Sequence, residues 1–222
     1  MTPEALVTGA HYDLLYLPGT TETLILACAS IGHDPSRPPS PEWIRSTRPH
    51  PTAFLIDKTR SWGTAPGLAG TLARAPKYPR TLALGASMGG FLALQATHLL
   101  PIDAVIAMGP QHRPAARWEP RWRTLTADLP ETLTAPKSQA ARTYLLHAAD
   151  DHQQALDFTE ADHIYFPNQS HSTLAAHLKP ALPGLIQAAL TDRRHFLRLT
   201  AQAGGQRRPR GPDAYPRHSP DG

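Results

Sequence analysis

The chain has 222 residues, of which 41% are hydrophobic and 18% charged, and its formal net charge is +4; this composition is typical of a globular domain and argues against a disordered chain. Its single cysteine excludes a disulfide framework within the chain. No apolar run approaches the roughly 18 residues that span a bilayer, and the N-terminal residues lack a signal-peptide pattern, so we expect a cytoplasmic protein without a membrane span.

Short apolar runs, separated by loops and helical stretches, predict strands along the chain. These runs are 11–17, 24–29, 52–56, 81–84, 104–108, 143–146 and 164–166. Most are continuously apolar, which is typical of strands buried on both faces in a parallel sheet. Cys28 lies inside the second run with no basic residue nearby, so we expect a small core residue rather than a nucleophile.

Helices are predicted over 65–75, 89–100 and 174–190. The second is apolar nearly all round and should be buried, whereas Pro180 and Pro183 should interrupt the third. The alternation of strands and helices favours an α/β fold with a mostly parallel central sheet flanked by helices.

The stretch 111–141 is rich in proline and carries Trp118 and Trp122. It is too short for a second domain, so we predict a short lid-like insert within a single domain over 1–201. The two tryptophans are four residues apart and would share a helical face. They would either line the bottom of a binding site for an acyl or sugar group or pack into the hydrophobic core.

The excess positive charge lies near the C-terminus, at Arg207, Arg208, Arg210 and Arg217 in a Gly/Pro-rich stretch. Such a composition is typical of a solvated, disordered segment. The basic residues are not interleaved with aromatic residues, as a nucleic-acid groove needs. We therefore predict a disordered tail over 202–222 and no nucleic-acid partner.

One motif carries chemistry: Gly85-Ala86-Ser87-Met88-Gly89 fits the G-x-S-x-G pattern, with an apolar strand before it and an apolar helix after it. The glycines allow strand and helix to approach closely around a strained serine. The turn also places the serine at a helix N-terminus, where the dipole stabilises developing negative charge. The motif predicts Ser87 as a nucleophile and the Met88 N–H as an oxyanion donor.

A nucleophilic serine needs a base that is oriented by an acid, and in such a fold the acid precedes the histidine along the chain. Asp150 and Asp151 both follow the apolar run 143–146, at the carboxyl edge of the predicted sheet. We favour Asp151, which lies four residues beyond His147.

The base is predicted to be His171, which follows the run 164–166 and precedes a helix. His163 and His177 are the alternatives. His163 opens the strand, at the wrong end of the sheet, and His177 lies inside the predicted helix.

A second oxyanion donor is expected in the loop after the run 24–29, from the backbone N–H of Ala29 or Ser30. No His-Gly pair occurs at this point, which departs from many esterases. A main-chain donor depends little on side-chain identity.

These residues resemble the α/β-hydrolase superfamily over about 11–190. The segments 29–32, 56–63 and 108–111 are further similar to parts of bacterial members associated with capsular or exopolysaccharide formation. The resemblance implies a serine hydrolase of the esterase or deacylase kind, acting through an acyl-enzyme, with acylated saccharides as one substrate class. Candidate substrate-binding residues are Trp62, Gln111 and Trp118, although each has a packing or turn-filling alternative.

Two other functions stay open. An alcohol could resolve the acyl-enzyme in place of water, which makes an acyltransferase, or the fold could serve as a catalytically silent partner in polysaccharide biosynthesis or secretion. The sequence shows no H-E-x-x-H, P-loop or G-x-G-x-x-G pattern, so we expect no metal and no cofactor. The expected partner is a small-molecule or saccharide acyl ester.

Overall fold

A computed structural model describes residues 2–32, 34, 36–126, 128–134, 136–156, 158 and 161–207. Its strands are β1 (Glu4–Thr8), β2 (Tyr12–Leu17), β3 (Thr23–Cys28), β4 (Thr52–Asp57), β5 (Arg80–Ala86), β6 (Ala104–Met108), β7 (Arg142–Ala148), β8 (Asp162–Phe166) and β9 (Gln206–Arg207). Its helices are α1 (Leu68–Leu72), α2 (Met88–Ala96), α3 (His152–Ala155), α4 (His171–Leu178), α5 (Leu182–Thr191) and α6 (Arg193–Gln202), with 3₁₀ turns at Pro120–Trp122 and Ala149–Asp151.

Within the described residues, the strands form one sheet in the order β1-β2-β4-β3-β5-β6-β7-β8-β9. Neighbouring strands from β4 to β8 in this order are parallel, whereas β1, β2 and β9 pair antiparallel at the two edges. The predicted fold class, a mostly parallel sheet flanked by helices, is confirmed.

Alternate residues of the central strands face two different cores. On one side Leu26, Ala83 and Val105 pack with α1 and α2, and on the other Leu82 and Ile106 pack with α4, α5 and α6. Both faces are therefore covered, which explains why these strands read as continuous apolar runs. Cys28 is fully buried in the first core, as expected, and burial raises the pKa of its thiol.

Each of the predicted runs is found as a strand, and the differences lie at the edges. The half-exposed strand β1 has an apolar run of only three residues and the exposed strand β9 has none, and neither strand was predicted. The predicted helix over 174–190 is two helices, α4 and α5, with Pro180 between them and Pro183 in the first turn of the second.

The C-terminal boundary also differs from the prediction. The described structure continues past residue 202, because Gln206 and Arg207 form β9 against β8. The rest of the predicted tail, 208–222, lies outside the described residues. In the part of the chain that the structure describes, none of the helices combines the length and the apolar character needed to cross a membrane.

Candidate active site

Ser87 occupies the sharp turn between β5 and α2. Its backbone has φ 55° and ψ −125°, a conformation that costs an L-residue free energy and is typical of functional turns. The Ser87 N–H donates to the Met108 carbonyl at 2.8 Å, which ties the turn to the end of β6. The strained backbone is therefore held from the neighbouring strand.

Glycine on both sides of this turn is a steric requirement. A Cβ at Gly85 would overlap the Gly89 carbonyl, and a Cβ at Gly89 would overlap the carbonyls of Cys28 and Ala29. The obstacles are backbone atoms, which cannot move aside as the end of a flexible side chain can. The two glycines thus allow α2 to start directly over the ends of β5 and β3.

Gly89→Ala is expected to destabilise the protein by about 1–3 kcal/mol, because the added methyl group overfills this contact. Gly70→Ala is the matched control: Gly70 lies exposed in α1, where a Cβ would project into open space, and this change should stabilise by up to about 1 kcal/mol. Urea unfolding measures both. Equal stability of the two variants would contradict the close approach of α2 to β3.

Asp151 and His171 are brought together at the carboxyl edge of the sheet. Asp151 ends the 3₁₀ turn after β7, and His171 is the first residue of α4; the His171 Nδ1 and Asp151 Oδ1 atoms are 2.7 Å apart. The Asp151 side chain is fully buried. Asp150, the alternative acid, instead accepts a hydrogen bond from the His171 backbone N–H at 2.6 Å.

The electrostatic surroundings keep Asp151 ionised. Burial by itself raises the pKa of the Asp151 carboxyl, but the hydrogen bond and charge of His171 and the charge of Arg121 outweigh it, so the pKa lies below its ordinary value. An ionised Asp151 accepts the Nδ1–H of His171, which leaves Nε2 as the ring nitrogen able to accept a proton.

The alternative histidines lie elsewhere. His163 Nε2 is 2.7 Å from the Phe158 carbonyl, and His177 Nε2 is 2.8 Å from the Ala203 carbonyl. Neither residue borders the cavity that contains Ser87 and His171. His147 is fully buried and stacks on His163, and burial lowers its pKa to about 3, so it is neutral at ordinary pH.

Ser87 and His171 both line one cavity of about 650 Å³. Besides these two, its walls carry Ser30, Ser40, Glu42, Trp43, Arg121, Trp122, Asp150, Ser172 and Lys179. Polar and aromatic side chains therefore surround the serine. The Ser87 hydroxyl donates to Gln111 Oε1 at 3.0 Å, and so its proton is not directed at His171 in this conformation.

The three expected oxyanion donors differ in whether their backbone N–H is available. Met88 begins α2, where a backbone N–H has no acceptor within the helix. Ser30 lies on the cavity wall. Ala29 must be removed as a candidate, because its N–H donates to the Leu55 carbonyl at 2.9 Å and extends the β3–β4 pairing.

Of the candidate substrate-binding residues, Gln111 contacts Ser87, whereas two tryptophans lie elsewhere. Trp62 is fully buried in the core against which α2 packs. Trp118 is 38% exposed and does not line the cavity. The structure therefore places neither of these indoles on the cavity wall. In the segment 111–141 it is Trp122 that lines the cavity, with its ring 5.8 Å from the His171 ring.

Two charged residues near the site were missed by the sequence analysis. Glu119 is buried beside Gln111, and Arg121 bonds to Glu119 and approaches Asp151 to 3.4 Å. They lie in a proline-rich stretch without periodicity, so no local pattern marked them. The one sequence feature that could have indicated them is their closeness to Trp122, because all three residues belong to the same short turn.

No family model matches this chain, and no curated protein is similar enough to it in sequence to count as a match. Solved structures do resemble it. A serine hydrolase involved in carbazole degradation is 10% identical over 84% of this chain and 97% of its own, with a TM-score of 0.58. The capsule O-acetyltransferase of Neisseria meningitidis serogroup A is 13% identical over 81% and 92%, with a TM-score of 0.54.

A third similar structure is the mouse α/β hydrolase domain-containing protein 10, which is 16% identical over 84% of this chain and 99% of its own, with a TM-score of 0.50. At such low identity these likenesses establish architecture and nothing finer. The neighbours include both hydrolases and an acetyltransferase. Together with the sheet order and the helices on both faces, they show that the chain has the α/β-hydrolase fold.

Proposed function

We propose that this chain is a serine acyl hydrolase that works through an acyl-enzyme on Ser87. One observation carries the proposal: a serine on a strained strand-to-helix turn shares a cavity with a histidine whose Nδ1 lies 2.7 Å from the carboxylate of a buried aspartate. These are the nucleophile, base and orienting acid that acyl transfer needs.

The chemistry follows from the roles of these groups. His171 Nε2 takes the proton from the Ser87 hydroxyl as Oγ attacks the ester carbonyl carbon. The oxygen that gains negative charge is stabilised by the Met88 N–H, at the start of α2, and by the Ser30 N–H. His171 then gives the proton to the departing alcohol, which leaves the acyl group on Ser87.

Water completes the cycle by the same steps in reverse. His171 accepts a proton from water as the water oxygen attacks the acyl carbon, and it then returns that proton to Ser87 Oγ as the acyl–Oγ bond breaks, which releases the acid product and free Ser87. Asp151 stabilises the imidazolium in both halves. Its low pKa keeps it in the charged form that this role requires.

Acylated saccharides are the substrate class that we propose. A cavity of about 650 Å³ is in the range that holds small-molecule ligands. Its wall carries the hydroxyls of Ser30 and Ser40 and the carboxylates of Glu42 and Asp150, which suit sugar hydroxyl groups, and Trp43 offers an apolar edge. The likeness to a capsule O-acetyltransferase supports the same class.

The test is incubation of the purified protein with acetylated sugars and short acyl esters, with and without an excess of unacylated saccharide. We expect free carboxylic acid in both cases. Acylated acceptor as the main product would support the acyltransferase alternative, which the same likeness favours. The absence of any turnover in demonstrably folded protein would favour the catalytically silent partner.

A further inference from the structure

Ser87 has a hydrogen-bond partner that plays no part in the chemistry above. Its hydroxyl donates to Gln111 Oε1 at 3.0 Å. Gln111 is fully buried three residues after the end of β6, and it does not line the cavity that Ser87 and His171 share. The insert therefore contacts the nucleophile directly, through a buried side chain.

The orientation of the Gln111 amide is fixed by charge. Its Nε2 atom faces Glu119 Oε2 at 3.5 Å, and Gln154 Nε2 donates to the same oxygen at 3.3 Å. The Glu119 carboxylate also accepts from Arg121 Nε at 2.6 Å. A carboxylate in an ion pair has no proton to donate, so the amide nitrogen must face it and the amide oxygen must face Ser87.

This arrangement competes with base catalysis. A hydroxyl has one proton, and while Gln111 accepts it, His171 does not. The serine attacks only after its hydroxyl has turned toward the imidazole. The same Arg121 that fixes Glu119 lies 3.4 Å from Asp151, so the insert contacts the nucleophile and its orienting acid through one chain of polar groups.

We propose that Gln111 is a positioning residue which holds the Ser87 hydroxyl in a resting orientation away from His171, with its amide aligned by the Glu119–Arg121 pair. The inference rests on the proposed function of Ser87. It reassigns Gln111 from substrate binding to control of the nucleophile. Removal of the amide oxygen should therefore make Ser87 more reactive rather than less.

The test compares the second-order rate constant for labelling by a fluorophosphonate probe in the wild type, Gln111→Leu and Gln111→Asn. Leucine fills a similar volume without an acceptor, and asparagine is one methylene too short to reach Ser87. Both variants are expected to label about fivefold faster, since one neutral hydrogen bond contributes about that factor. Circular dichroism establishes that each variant is folded.

Thr126→Val is the control for a loosened insert. It removes the hydrogen bonds that the buried Thr126 hydroxyl donates to the Pro114 and Trp122 carbonyls but leaves the contacts of Ser87, Gln111 and Glu119 in place. This variant should label at the wild-type rate. An equal rise in Thr126→Val, or unchanged or slower labelling in the folded Gln111 variants, would overturn the proposal. Labelling of no variant at all would refute the proposed function, and this inference with it.

Discussion

Ser87→Ala is expected to reduce ester hydrolysis by about a thousandfold or more, because the acyl-enzyme cannot form without Oγ. The loss should be in kcat rather than in substrate binding, since the cavity keeps its shape. The methyl group of alanine occupies the same Cβ position, so the strained turn and the thermal unfolding midpoint should change little. Steady-state kinetics with the best ester from the substrate screen measures the effect.

Ser172→Ala is the matched control for this loss. Ser172 also lines the cavity, but it lies on α4 and its hydroxyl is near Ser170 rather than near the reacting centre. We expect less than about a tenfold change for this variant, the cost of one polar contact to substrate. A Ser87→Ala variant that retains most of its activity would exclude an acyl-enzyme on this residue.

Asp151→Asn is expected to lower kcat by about 10⁴-fold, as for other triads in which the acid becomes an amide. An amide cannot stabilise the imidazolium, and it can hold the ring in the wrong tautomer. The carboxylate is fully buried against His171 Nδ1, so no solvent molecule readily takes its place. Kinetics over a range of pH values separates this loss from a shifted pH profile.

Asp150→Asn provides the comparison, because it changes the neighbouring residue in the same way. The asparagine oxygen can still accept the His171 backbone N–H that Asp150 accepts. What it loses is a half-exposed contact of 3.5 Å with Arg121, which is worth little in solvent. Retention of activity in Asp151→Asn together with its loss in Asp150→Asn would reverse the assignment of the acid.

The core of this fold could be read from the sequence because its signals are local. Strands buried on both faces, such as β3, β5 and β6, must be apolar at nearly every position. The turn around Ser87 requires glycine where backbone meets backbone, so it leaves the Gly85 and Gly89 pattern in the chain. Asp151 follows β7 and His171 follows β8, and because these two strands are parallel, both residues lie at the same edge of the sheet.

The remaining features depend on contacts between distant segments. Trp62 has the sequence context of a cavity wall, yet it packs into the core, because which face a loop residue takes is set by elements far from it in sequence. The Ala29 N–H is used by β4, a partner more than twenty residues away. The chain of Gln111, Glu119 and Arg121 exists only once the insert has folded over the sheet edge.

The most direct measurement is to react the wild-type protein with a fluorophosphonate probe at several pH values and to map the labelled residue by mass spectrometry, beside His171→Ala. We predict a single label on Ser87 and a strong reduction of labelling in the His171→Ala variant. A folded wild-type protein that takes up no label at any pH, or that carries it on a residue other than Ser87, would contradict the assignment of Ser87 as an activated nucleophile.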